Sequence, residues 1–187
     1  MHKEQRVGVF IDIQNLYHSA KNLYQAKVNF KQLVTEVVGE RRLVRAVGYV
    51  VKSDTSIGEA SFFDALNNSG IELRMKDLQI FPGGAKKADW DVGMAVDAIR
   101  MANSFDVVVL VTGDGDFIPL VEYLKWGLGK IVEVAAFNTT TSGKLKEVAE
   151  KFINLEDLPK VLLGARARRP RRGSKKEVKE NNTEEYL

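Results

Sequence analysis

Short, near-continuous apolar runs alternate along the chain with longer stretches in which apolar residues recur at helical spacing. The first kind comprises "RVGVFIDI" (6–13), "LVRAVGYVV" (43–51), "IELRM" (71–75), "DVVVLV" (106–111) and "KIVEVAAF" (130–137). Runs of this length, rich in Val and Ile and without strict alternation, predict strands buried on both faces. The second kind fills 15–25, 31–38, 58–70, 91–102 and 117–127. Gly70 closes the third of these as a helix stop, and Ser142 stands where it would cap a last helix running through Phe152. Between them "FPGGAKK" (81–87) is punctuated as a loop by its Pro and paired Gly. Strands alternating with helices predict an α/β fold, doubly wound, with a mostly parallel sheet of about five strands and helices on both faces. No internal repeat is present.

That architecture gives the acidic residues a place. Ligand crevices in open α/β sheets lie outside the carboxyl ends of the strands, where the strand order reverses. Asp12 ends the first predicted strand, and Asp114 and Asp116 follow the fourth in "VVVLVTGDGDFIPLV" (107–121). Asp91 and Asp97 fall at the start and middle of the helix that leads into that fourth strand. Two bare carboxylates about 4 Å apart repel by about 4 kcal/mol at an effective dielectric near 20, so protonation or a cation must offset them. Oxygen donors without Cys point to magnesium or manganese rather than zinc.

A simpler role competes for each residue. An Asp after a strand commonly caps the next helix, contributing about 1 kcal/mol. Asp116 suits that role, Asp89 in "ADWD" reads as a cap, and Asp97 could pair on the helix surface with Arg100. Capping alone does not require both Asp114 and Asp116, however. Gly113 and Gly115 around them would let backbone approach a ligand closely. Spacing excludes a calcium loop beginning at Asp114, because its fifth position is Ile118 and its twelfth Lys125. A phosphatase of the haloacid-dehalogenase type needs a second acid two residues after the first-strand Asp, where this chain has Gln14. No Ser-His-Asp or Cys-His set is apparent, and His2 and His18, the two histidines, read as incidental.

Composition refines the picture at the chain's end. From Gly164 onward eight Lys/Arg face four Glu, a net +4, whereas the preceding residues carry a net −1 of the overall +3. The residues divide accordingly into a domain at 1–163 and a disordered, basic tail at 164–187. Arg168, Arg169, Arg171 and Arg172 in the tail, with Lys86 and Lys87 in the 81–87 loop, are candidates for holding phosphates. The absence of Cys removes disulfides and thiolate metal sites, and no apolar run approaches the roughly 20 residues that span a bilayer. With "MHKEQRVGVFIDI" running directly into a strand pattern, the expectation is a cytoplasmic protein without a membrane partner.

Three blocks, taken in order, resemble the signatures of NYN domains, the LabA-like branch of the PIN-like nucleases. They are "VFIDIQN" (9–15), "KKADWDVGMAVDAI" (86–99) and "VLVTGDGDFIPLV" (109–121), and the likeness spans roughly residues 5–158. It implies a cluster of acids that binds magnesium or manganese for phosphodiester hydrolysis, usually of RNA. Carried over by position, the catalytic set is Asp12, Asn15, Asp91, Asp97, Asp114 and Asp116, with Asp12, Asp91, Asp114 and Asp116 as metal ligands. Thr112 stands where the family commonly has Ser or Thr, within reach of a metal water or phosphate. Six residues on a helix turn through about 600°, which leaves Asp91 and Asp97 about 120° apart and unable to share one metal in a regular helix. Asp91, at the helix start, ranks above Asp97. The expected function is therefore a metal-dependent ribonuclease; the alternative is a nucleic-acid-binding or regulatory module that keeps the acids without turnover. Self-association is compatible with the pattern, which does not force it.

Overall fold

The computed structural model describes residues 3–52, 59–77, 79–80, 86–87 and 89–164, with the backbone alone at Glu59, Gln79, Ile80, Lys86 and Lys87. Its first half consists of β1 (Arg6–Asp12), α1 (Ile13–Tyr24), β2 (Lys27–Val28), α2 (Phe30–Val38), β3 (Arg42–Lys52), α3 (Glu59–Asn68) and β4 (Glu72–Asp77). Two short strands follow, β5 (Gln79–Ile80) and β6 (Lys86–Lys87), and then α4 (Asp91–Met101) and β7 (Val107–Val111). The chain continues with α5 (Ile118–Glu122), β8 (Ile131–Ala136), α6 (Gly143–Val148), β9 (Lys151–Asn154) and β10 (Leu162–Leu163).

Six strands pair in the order β4-β3-β1-β7-β8-β9, and every pairing is parallel. β2 pairs antiparallel with β10, and β5 with β6, as separate two-stranded ribbons. The middle strands are apolar on both sides because each face of the sheet is covered. Val7, Val9, Ile11, Val107, Val109 and Val111 join the core under α1, α2 and α3. Their alternates Phe10, Val108 and Leu110 join a second core with α4, α5 and α6. The period-two alternation of a strand thus divides one continuous apolar run between two cores. Gly8 is obligatory here, since a Cβ would stand 2.5 Å from the Phe105 ring.

The doubly wound parallel sheet expected from the pattern is present, and it has six strands rather than about five. The helix expected from Ser142 through Phe152 ends at Val148, and Phe152 lies instead in the edge strand β9. Ala149 turns to extended backbone, and the Glu150 N–H then donates to the Val132 carbonyl at 2.8 Å, which starts the new pairing. Four strand residues are too few to show a period of their own beside a helical one. Ser142 occupies the cap position without a side-chain capping bond. The stretch expected as one helix at 117–127 is composite: a 3-10 turn at 115–117, α5, and a π turn at 123–127.

One buried ion pair ties the far side together. Arg41, just before β3, forks onto Glu133 of β8 at 2.8 and 2.9 Å and also donates to the Val37 and Val38 carbonyls. Among the described residues no helix is long and apolar enough to cross a membrane.

Candidate metal centre

β1 and β7 are neighbours whose onward connections leave in opposite directions. From β1 the chain moves outward to β3 and β4, and from β7 to β8 and β9. This is the reversal of strand order at which a crevice opens beyond the strand ends. Ile11 pairs in register with Val111, so Asp12 and Thr112 leave the sheet side by side.

Asp12 is the N-cap of α1, its carboxylate accepting the Asn15 N–H at 3.0 Å. Asp114 caps the following 3-10 turn in the same way, accepting the Asp116 N–H at 3.0 Å. Asp116 therefore caps nothing; its carboxylate is exposed and left for other partners. Asp91 opens α4, whose N-cap position is held by Trp90 without a side-chain capping bond. Trp90 fixes that helix end by donating its Nε1–H to the Val50 carbonyl at 2.8 Å. Its ring lies so close over Gly93 that a Cβ there would meet it at 2.5 Å.

The outcome is a meeting of three carboxylates. One oxygen each from Asp91, Asp114 and Asp116 lies within 4.8 Å of the others. Oxygens bound at about 2.0–2.6 Å to one hard cation stand no more than about 5 Å apart, so these residues fit such an ion. The electrostatics point the same way. Burial pushes the Asp12 carboxyl up to about 6; the Asn15 and Gln14 N–H groups oppose this, and the charges of Asp91 and Asp114 add to it. Asp91 is raised as well, by burial first and then by Asp114, Asp89 and Asp116, with Lys76 opposing. Among the described residues no Lys or Arg forms an ion pair with Asp12, Asp91, Asp114 or Asp116. Lys76 acts on Asp91 from beyond ion-pair distance and donates instead to the Asp89 carbonyl.

Asp97 does not join this group. It accepts the Tyr49 hydroxyl at 3.1 Å and faces Arg74 at 3.4 Å and Arg100 at 3.8 Å. The helical rotation separating it from Asp91 accounts for this. Asn15 enters as a brace, its Oδ1 accepting the Gly113 N–H at 3.3 Å across the gap between α1 and the β7 loop. Thr112 is fully buried, and its Oγ1 accepts the Asp114 N–H at 3.2 Å. Buried as it is, it shapes the loop rather than reaching a metal water or a phosphate. Gly113 and Gly115 make room for protein and not for ligand: a Cβ on either would stand 3.1 Å from the hydroxyl oxygen of Thr141 or Ser142. Asp89 is exposed and caps no helix; its carbonyl accepts the Lys76 ammonium at 2.9 Å. The backbones of Lys86 and Lys87 pair in β6, while their side chains and Arg168, Arg169, Arg171 and Arg172 lie outside the described residues.

Two concavities meet at the carboxylates. A cavity of about 210 Å³ is lined by Asp12, Asn15, Asp91 and Asp114 together with Gln14, His18, Tyr49, Asp89 and Trp90. His18, which reads as incidental in the sequence, therefore faces the same space as Asp12. Tyr49 and Trp90 escape sequence reasoning because one looks like a strand residue and the other like core. Their shared signal is position: Tyr49 pairs in register with Asp12, and Trp90 directly precedes Asp91. A larger groove of about 580 Å³ shares Asp89 and Asp91 with the first, adds Asp116, and continues between α4 and α5.

Comparison with known proteins agrees with this geometry. The model of the NYN domain family matches residues 6–156. The chain is 25% identical over 167 residues to the low amplitude and bright protein LabA of Synechococcus elongatus, covering 83% of this chain and 87% of that one. It is also similar to the crystal structure of a protein of unknown function from Vibrio parahaemolyticus RIMD 2210633. That likeness has a TM-score of 0.79 and 31% identity, over 87% of this chain and 99% of the other.

Proposed function

The chain belongs to the NYN domain family of PIN-like nucleases, and we propose that it is a metal-dependent ribonuclease that hydrolyses RNA phosphodiester bonds at its acidic crevice. The observation that carries this reading is the convergence of the Asp91, Asp114 and Asp116 oxygens within 4.8 Å, with no ion pair to any of them among the described residues. An all-oxygen donor set suits magnesium or manganese. Bound there, such an ion lowers the pKa of a water and offsets charge on the phosphorus oxygens.

The protein's own task is placement. Asp91, Asp114 and Asp116 hold the ion, and Asp12, outside that group of three, lines the adjoining smaller cavity as a further carboxylate. Asn15 keeps the β7 loop at a fixed distance from α1, and with it Asp114. Trp90 does the same for Asp91 by anchoring α4 to β3. Asp97 acts through Tyr49, which it holds against that cavity, and is a positioning residue. Lys86, Lys87 and the tail residues Arg168, Arg169, Arg171 and Arg172 attract the RNA backbone without sequence preference. Family membership supports a nucleic-acid substrate, and RNA is the one proposed.

The test is direct. Purified protein is incubated with single-stranded RNA, structured RNA and DNA, in manganese, in magnesium and in chelator, beside Asp114→Asn. Cleavage of RNA that needs the metal and Asp114 is the expected outcome. Cleavage that persists in chelator or in the variant sinks the metal mechanism. A clean protein that binds RNA but cuts nothing in either metal is instead a binding module.

A further inference from the structure

The groove between α4 and α5 begins at Asp91 and Asp116 of the carboxylate group and runs on past them. Asp89 and Asp91 line both concavities, so the groove adjoins the space at the carboxylates. From Asp91 to Ile99 the groove follows α4 for about 12 Å at 1.5 Å per residue. Its walls change character along the way. Beyond the carboxylates they are Val92, Ala95 and Ile99 on one side and Pro119, Leu120 and Tyr123 on the other. Val92 is 75% exposed, Tyr123 48% and Ile99 38%, so this apolar surface is covered by nothing in the described chain. Among the described residues no Lys or Arg lines it.

We propose that this groove is a nucleobase subsite, in which Tyr123 stacks the base next to the scissile phosphate. The inference rests on the nuclease reading above and names where that site holds a base of its substrate. Phosphate has no partner among apolar walls that end in three carboxylates, whereas the face of a base is uncharged and apolar. With the scissile phosphate at the cation, the neighbouring nucleoside is the part of the substrate that falls into the groove. A volume of about 580 Å³ is ample for it. Tyr123 supplies a half-exposed ring on which any base can stack, which makes the contact tolerant of sequence. In a duplex both faces of each base are already covered, so only a single strand, loop or end can enter.

The experiment uses the full chain, fluorescein-labelled decaadenylate and a hairpin of matched length. Binding is read by fluorescence anisotropy and cleavage by steady-state kinetics in manganese. Tyr123→Ala should weaken binding of the single strand and raise its KM by about tenfold, with a smaller change in kcat. Tyr123→Phe should restore both. Because no phosphate is contacted in the groove, the loss should be the same at low and high salt. Wild-type protein should bind and cut the single strand in preference to the hairpin stem. Unchanged affinity in Tyr123→Ala, or equal affinity for strand and stem, overturns the subsite. So does light scattering that shows a wild-type dimer split by Val92→Asp, because a second copy then owns the groove. Anisotropy decides the subsite even where no metal supports cleavage, so failure of the nuclease reading is seen separately.

Discussion

The carboxylate of Asp114 accepts the backbone N–H of Asp116 at 3.0 Å, so the first acid of the pair shapes the turn that presents the second. Both then contribute an oxygen to the same group as Asp91. Asn serves as well as Asp at a cap, while Ala loses about 1 kcal/mol. Asp114→Asn should therefore keep the melting temperature and still lower the cleavage rate by more than about 100-fold, the upper limit for partners one shell further out. Asp114→Ala should show the same kinetic loss and melt about 3 °C lower. Thermal melts beside rate measurements in manganese separate the two roles. Equal melting temperatures for the two variants would remove the cap from the account.

Asp91 and Asp97 stand six residues apart on α4 and have different partners. Asp97 is engaged by Tyr49, Arg74 and Arg100, whereas Asp91 faces other carboxylates. Asp91→Asn should abolish manganese binding in titration calorimetry. Asp97→Asn should leave the stoichiometry intact and weaken the affinity by at most about tenfold, as an outer partner does. Its amide oxygen still accepts the Tyr49 hydroxyl, so the stability lost with the charge facing Arg74 and Arg100 should be at most about 1 kcal/mol. Equal loss of manganese affinity in both variants would make Asp97 a ligand.

Strand interiors were the most legible part of this chain, because runs such as "VVVLV" are buried on both sides and carry no competing signal. The placement of Asp12, Asp114 and Asp116 followed from strand ends, since position along the sheet is fixed by the pattern itself, and Asp91 was placed at a helix start. What individual side chains do there was not legible. Asp114 and Asp116 differ by one hydrogen bond, and only the 3-10 geometry of the loop decides which one caps. Trp90 and Tyr49 are apolar by composition, and their nearness to Asp91 and Asp12 is a fact of tertiary register. The edge strand β9 was missed because four residues cannot outweigh the helical spacing that runs into them.

The Asp12 carboxyl, raised from an ordinary 3.8 to about 6 chiefly by burial, makes stability depend on pH. The folded state binds more protons than the unfolded state between those values. Metal-free stability should therefore be highest at or below pH 4 as far as this group is concerned. It should fall by about 2–3 kcal/mol as pH rises to about 6, and then level off. Asp12→Asn keeps the cap of α1, removes the titration and should flatten that fall. Urea unfolding in chelator at several pH values measures the difference between the two proteins. A difference independent of pH would show that Asp12 does not titrate there. Manganese should stabilise the wild type more at pH 7 than at pH 5, because it binds the ionised form.

Arg41 and Glu133 form a two-pronged pair at 2.8 and 2.9 Å with only 6% and 3% of their surfaces exposed. Arg41 precedes β3, at the strand end opposite the carboxylates, so it acts on the fold and not on the site. Removing one partner strands a buried charge, and Arg41→Ala or Glu133→Ala should each lose about 3–5 kcal/mol. Arg41 is also bound to the Val37 and Val38 carbonyls at the end of α2, so its removal should be the worse of the two. Joint replacement by Arg41→Met and Glu133→Leu leaves no unpaired charge and should recover most of the loss. Urea unfolding of the wild type, Arg41→Met, Glu133→Leu and the double variant closes a double-mutant cycle, in which a coupling energy near zero would mean that the pair is not an energetic unit. Cleavage per folded molecule should be unchanged in the double variant, because no residue of the carboxylate crevice touches either side chain.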